Sequence, residues 1–258
     1  MTAPLVTALN QYKALPVNPA TGTTGKTRKI RPLLWTAPRV ERWRRTGQRP
    51  SPVMVWSATQ TGAFLDSIVE DRLYPLYYLA CYGGLRPGEL HRLEWSDVDL
   101  AARKLYVRVD VKSEDSDRNL TIDPDPQTAN VLRAWQEKQL FEALEWDTGW
   151  QDSSRVFTRE DGAPLRAGHI SEHLEILIGR AGLPPVRFHD LRHGAASMLV
   201  AAGQPIKVVS EILGHATSAF TADVYVYVTV AEELNETAAA AISAYIPRRV
   251  TNESSQGR

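Results

Sequence analysis

The sequence predicts a mainly α fold of the α+β kind, a helical domain carrying a small antiparallel β-sheet. Apolar residues recur at three- and four-residue spacing through "QTANVLRAWQEKQLFEALEW" and through most of the chain after Ala167. Over "KLYVRVD", Leu105, Val107 and Val109 alternate with Tyr106, Arg108 and Asp110, the pattern of a half-buried strand; "RNLTID", beyond the polar "SEDSD", supplies its partner. No internal repeat is present, which excludes a solenoid.

In chain order, residues 1–50 mix Pro, Gly and Thr without an apolar period and are expected to form a basic linker or arm, with a short helix at the start. A boundary is placed near residue 50. "SATQTGAFLDSI" opens a helix with a capping box, Ser57 and Gln60 each able to satisfy a backbone N–H of the first turn. "LYPLYYLACY" forms the next helix, ended by Gly83–Gly84, and "RPGELHRLEW" starts a third with Pro87 at a tolerated first-turn position. The long amphipathic helix follows Pro126, and "VFTREDGAPL" reads as a second hairpin turning at Asp161–Gly162. The remaining helices break at "GLPP", "AGQP" and "GHAT".

The formal net charge of zero conceals a segregation. Residues 1–50 hold ten Lys or Arg against the single acid Glu41, a net of +9, and the rest of the chain carries −9. "KTRKIR" and "RVERWRR" concentrate the positive charge, suiting either phosphate contacts or a solvated linker; the candidates are Lys26, Arg28, Lys29, Arg31, Arg42, Arg44 and Arg45. Cys81, the sole cysteine, excludes an internal disulfide and a multi-cysteine zinc site. Without a long apolar run or a basic-then-apolar leader, a cytoplasmic protein with no membrane partner is expected.

The chemistry concentrates in "FHDLRHGAASMLVAAGQ". On a helix His189, Arg192 and His193 share a face beside an apolar stripe of Leu191, Ala195, Met198 and Ala202. "HDLRH" imitates the His-x-x-x-His spacing of zinc peptidases. Asp190 stands where that chemistry needs Glu, however, and Arg192 would repel a divalent cation, so no metal and no cofactor are expected. A phosphate suits the group better. His215 in "ILGHAT", Tyr225 in "TADVYVYV" and Arg86 in "GGLRPGEL" extend the set, with Glu89 placed to hold the Arg86 guanidinium. Trp95, Trp135, Trp146 and Leu213 are assigned to the core, His91, His169 and His173 to surfaces or helix faces, and Cys81 to packing.

In these motifs residues 51–245 resemble the catalytic domain of the tyrosine recombinases, the phage-integrase family. "GLRPGELHRLEWSDVDL" resembles the first arginine box, "VKSEDSDRNLTI" the β-hairpin lysine segment, "HDLRHG" the His-x-x-Arg box, and "LGHAT" the box of the later histidine. The resemblance implies the DNA breaking-rejoining fold and a catalytic set of Arg86, Lys112, His189, Arg192, His215 and the nucleophile Tyr225, with Glu89 and His193 in support. It also implies double-stranded DNA as partner, a monomer off DNA and a homotetramer on synapsed DNA. "VTALNQYKALPVNPA" resembles the tail of the family's N-terminal core-binding domain, and residues 246–258 are expected to form a C-terminal tail. Asp117 departs from the pattern, occupying a hairpin position that is often basic.

The roles follow physically. Charge building on two non-bridging phosphate oxygens calls for two guanidinium forks, Arg86 and Arg192. A phenol with a pKa near ~10 needs help losing its proton, the task of His189. Lys112 would protonate the leaving sugar oxygen, and His215 would donate to a phosphate oxygen. Tyr225 and Tyr227 lie about 200° apart around a helix, so one of them faces the phosphate, and the family spacing selects Tyr225. Two other readings stay open, a type IB topoisomerase and a non-catalytic DNA-binding remnant.

Overall fold

In the computed structural model, which describes residues 32–107, 118–121, 126–166 and 168–213, the segment before residue 50 departs from the linker expected of it. Leu33–Leu34 (β1) pairs in parallel with Met54–Val55 (β2). Trp35 is buried in the main core, and its indole N–H donates to the carbonyl of Pro185 at 3.1 Å. The Trp56 indole donates to the neighbouring Pro184 carbonyl at 2.8 Å. Prolines lack an N–H but keep an acceptor that must be satisfied once buried, so the "GLPP" break is pinned from the far end of the chain. Residues 37–46 form helix α1 (Ala37–Thr46), which buries none of its own residues and is attached through Trp43, edge-on to Trp35 at 5.9 Å. Lone aromatics with distant partners leave no period to read, which is why this stretch looked like linker.

Helix α2 (Ala58–Ser67) has the expected capping box: the Ser57 N–H donates to Gln60 Oε1 at 2.9 Å and the Gln60 N–H to Ser57 Oγ at 3.2 Å. Helix α3 (Tyr74–Gly83) is central, with every residue from Pro75 to Cys81 buried. Burial alone pushes the Cys81 thiol up to about 12, so it packs. Helix α4 (Pro87–Arg92) follows at once, with Pro87 in its first turn.

The predicted sheet is present as Val98–Asp99 (β3), Lys104–Val107 (β4) and Arg118–Thr121 (β5), antiparallel in that order. Leu105 pairs with Val98 on one side and Leu120 on the other. Leu105 and Val107 are buried while Lys104 and Tyr106 face solvent, as the alternation requires. Helix α5 (Pro126–Trp146) spans the long amphipathic run. The second hairpin is an isolated antiparallel bridge, Thr158 to Pro164, closed by Gly162 at φ 78°. There a Cβ would come 2.5 Å from the Gln151 carbonyl. Arg72 staples the two: its Nε and Nη2 donate to the two Glu142 oxygens, each at 2.7 Å, and its Nη2 also donates to Arg159 O, while its guanidinium lies 4.8 Å from the Trp135 ring centre.

Helices α6 (His169–Ala181), α7 (Phe188–Ala201) and α8 (Ile206–Leu213) complete the described chain, with breaks at Gly182 and Gly203; "GHAT" lies outside the described residues. Helix α7 packs along α3 and against β2, and α8 lies against both α7 and β5. No helix among the described residues is long and apolar enough to cross a membrane.

Several sequence assignments change. Trp135 is 2% exposed but Trp146 is 47% exposed, at the end of α5 beside exposed Leu140, Phe141 and Leu144. His173 is bound on both sides, Nδ1 to the Tyr77 hydroxyl at 3.1 Å and Nε2 to Asp71 at 3.2 Å, and His91 Nε2 meets the Leu165 carbonyl at 2.6 Å. The α7 stripe ends early, since Ala202 is exposed at the C-cap.

Truncating Trp135 to Ala leaves a large core cavity and is expected to lower stability by about 3–5 kcal/mol. Trp146→Ala is expected to change it by no more than about 1 kcal/mol. Urea denaturation of the two variants measures both, and equal losses would contradict the burial described.

Candidate active site

Arg86 occupies the N-cap of α4 in extended conformation, and Glu89 is the third residue of the helix. The buried Glu89 carboxylate accepts the Arg86 backbone N–H on Oε2 and the Arg86 guanidinium on Oε1, both at 2.7 Å. One acid thereby caps the helix and fixes the side chain of the residue that starts it. The Arg86 side chain remains 38% exposed.

Arg192 comes from α7 and is 2% exposed, so it lies beneath the polar edge rather than on it as the helical wheel suggested. Its Nη1 donates to the Gly84 carbonyl at 2.7 Å and its Nη2 to the Leu213 carbonyl, with Glu89 Oε2 at 4.0 Å. Both carbonyls belong to helix C-termini, the C-cap of α3 and the last residue of α8, where backbone acceptors lack intrahelical partners and the helix dipole is negative. A permanently charged group is thus buried where two electronegative helix ends meet. Gly84 admits this geometry in two ways. Its φ of 62° is left-handed, and a Cβ there would lie 2.6 Å from Leu213 Cδ2.

His189 stands in the first turn of α7, open to solvent, with the His193 ring perpendicular to it at 5.0 Å. Loss of hydration against the protein wall, then the charge of Arg192, lowers the His189 pKa; Arg187 and Arg86 act the same way and Asp190 opposes them. His193 is pushed down to about 4, chiefly by burial and then by His189. Both imidazoles are therefore neutral at pH 7.

Asp190, considered in the sequence only against a metal site, is buried and accepts from the Arg187 backbone N–H at 3.0 Å and the Arg187 Nη2 at 2.7 Å. Arg49, from the segment after α1, reaches the same carboxylate at 3.4 Å. The signal for this second cluster was available: Arg187-x-x-Asp190 repeats the spacing of Arg86-x-x-Glu89.

The structure therefore brings together Arg86, Glu89, Arg192, His189 and His193. Lys112, Asp117, His215 and Tyr225 lie outside the described residues, as do Lys26, Arg28, Lys29 and Arg31. Arg42, Arg44 and Arg45 are exposed on α1, the last two in its final turn. Among the described residues no group of three His, Cys, Asp or Glu side chains is placed to hold a metal. What the arrangement can do is fix and neutralise an anion next to a neutral imidazole.

A sequence model of the phage integrase family matches residues 63–232. The chain is 32% identical over 186 residues to the tyrosine recombinase XerC-like protein of Caldanaerobacter subterraneus subsp. tengcongensis, covering 64% of this chain and 48% of that one. It is 28% identical over 190 residues to the ICEBs1 integrase of Bacillus subtilis, covering 66% and 49%. The chain thus spans about half the length of the curated relatives it matches. Its fold is similar to that of XerA recombinase, with a TM-score of 0.60 and 24% identity over 75% of this chain and 65% of that one. The Tn1549 transposon integrase in complex with transposon right end DNA gives 0.57 and 18% over 76% and 67%.

Two outcomes are expected. Gly84→Ala combines left-handed strain with a clash against Leu213, and should lower stability by about 1–3 kcal/mol in thermal or urea unfolding. Between about pH 4 and the ordinary histidine value near ~6.5, the unfolded chain holds a proton on His193 that the folded state lacks. Stability therefore rises with pH across that window and is lost as pH falls. Urea midpoints at pH 4.5 and 7 should differ less in His193→Gln than in the parent protein.

Proposed function

Because the chain belongs to the phage integrase family, we propose that it is a site-specific DNA recombinase, an integrase that cleaves and rejoins duplex DNA through a 3′-phosphotyrosine, without metal or ATP. The observation that carries this reading is the convergence of Arg86 and Arg192 on one buried carboxylate, Glu89, beside neutral His189.

In this mechanism the Tyr225 oxygen attacks the scissile phosphorus as the bond to the 5′ oxygen breaks. His189, kept neutral by its surroundings, receives the phenol proton. Arg86 neutralises the non-bridging oxygens with its open edge, while Arg192 acts as a fixed charge from beneath. Lys112 delivers a proton to the departing 5′ oxygen, and His215, two residues after the Leu213 carbonyl that Arg192 holds, donates to a phosphate oxygen. The contact between α8 and β5 supports placing the lysine hairpin on this side of the domain. One phosphodiester is exchanged for another, so the bond energy is retained and religation retraces the same steps. Arg42, Arg44 and Arg45 on α1 extend the backbone contacts, together with Lys26, Arg28, Lys29 and Arg31. The protein is a monomer off DNA and a homotetramer on synapsed DNA.

A nicked suicide duplex tests the proposal. The expected result is a covalent adduct that is insensitive to EDTA, lost in Tyr225→Phe, retained in Tyr227→Phe, and formed about 100- to 1,000-fold more slowly in Arg86→Gln. DNA binding by the parent protein with no adduct would favour the non-catalytic remnant. Supercoil relaxation without strand exchange would favour the topoisomerase reading.

A further inference from the structure

The described face carries a second guanidinium built like the first. Arg187 is the N-cap of α7 as Arg86 is the N-cap of α4, and both adopt extended backbone. Each is held by the buried acid three residues on, which takes both its backbone N–H and its side chain. Each keeps a large open fraction, 38% for Arg86 and 43% for Arg187. Arg192 has none to spare. Of the three guanidiniums that bear electrostatically on His189, the two that can meet an incoming group directly are therefore Arg86 and Arg187.

The ion pairs agree with this. Glu89 lies between Arg86 and Arg192, and Asp190 between Arg187 and Arg49, so each buried carboxylate meets two permanent cations. The Arg49 contact also joins this edge to the segment that follows basic α1, on which Arg42, Arg44 and Arg45 are exposed.

We propose that Arg187 grips a DNA backbone phosphate flanking the one attacked, and that Asp190 is its positioning residue. The fork is pre-oriented, so little rotamer entropy is lost when the phosphate arrives. This contact adds chiefly affinity and register, because Arg187 is held at the start of α7 and Arg86, which meets the attacked phosphate, at the start of α4. It rests on the duplex-cleaving reading given above.

The test is equilibrium binding of the full chain to a duplex over a series of salt concentrations, with single-turnover cleavage of the suicide substrate measured at saturating protein. Arg187→Gln is expected to weaken binding about tenfold and to reduce the salt slope by about one. Cleavage at saturation should fall far less than the hundredfold or more expected of Arg86→Gln; thermal unfolding should come at a lower temperature, because the change takes the Arg187 guanidinium from the buried Asp190 carboxylate, so binding is measured well below that transition. Arg187→Lys should restore the slope but not the full affinity. Asp190→Asn should weaken binding only while Arg187 is present; a penalty that persists with Arg187 already changed to Gln would deny it the positioning role. Unaltered affinity and slope in Arg187→Gln overturn the inference while leaving recombinase function intact. A parent protein that neither binds the duplex nor forms the adduct overturns both.

Discussion

The interaction on which the rest depends is the burial of the Arg192 guanidinium between the C-terminal ends of α3 and α8. A permanent charge removed from water is a heavy penalty unless oriented dipoles and an opposite charge replace its hydration. Both are supplied here by backbone that would otherwise want donors: the carbonyl at the cap of α3, the last carbonyl of α8, and the Glu89 carboxylate at 4.0 Å. The arrangement serves in both directions, because the helix ends need the cation as much as the cation needs them. It fixes where Leu213 at the end of α8 lies relative to α3. Gly84 is the small residue that lets the three meet, with Leu213 and Ala195 packed over the place a side chain would fill.

Around that buried charge, electrostatics is arranged by rank. The deepest cation carries no proton traffic and holds backbone. The outer guanidiniums are clamped by acids that lie within the same helical turn, so their forks are set before any ligand arrives, which favours anion binding over flexible capture. Neighbouring cations and burial keep the imidazoles uncharged, and an uncharged imidazole can accept a proton. The segregation of a net charge of +9 into the first fifty residues belongs to the same scheme, since Arg49 delivers the end of that segment to the Asp190 cluster.

Local signals in the sequence were legible where the physics is local. Alternation at Leu105 and Val107, the Ser57–Gln60 box and the Gly83–Gly84 break each specify a conformation within a few residues, and each is found as read. So is the Arg86–Glu89 pair, whose partners share a helical turn. What escaped was set by distance. Trp35 looks like a stray aromatic in a linker until its partner, 150 residues away, is placed beside it. Helix periodicity put Arg192 with the histidines because angle around a helix carries no depth, and depth was decided by α3 and α8 packing over that side. Trp146 shares the composition of a core anchor, yet it falls at the exposed end of α5, where no second element covers it. The Arg187–Asp190 pair repeats a spacing already recognised as meaningful at Arg86, and was overlooked because the acid was weighed only as a failed metal-site base.

The site's construction from helix ends has a consequence for how its functions divide. Arg86 and Arg187 are N-caps, Arg192 ties two C-termini, and all three are held by groups from residues 49 to 213. Lys112, His215 and Tyr225, which the proposed chemistry needs for proton delivery and attack, lie outside the described residues. Holding a phosphate then draws on fewer residues than breaking its ester bond, so the first can persist where the second is lost. That difference is why affinity and its salt dependence report on the arginines alone, whereas adduct formation reports on the tyrosine and Arg86 together, and why neither measurement can stand in for the other.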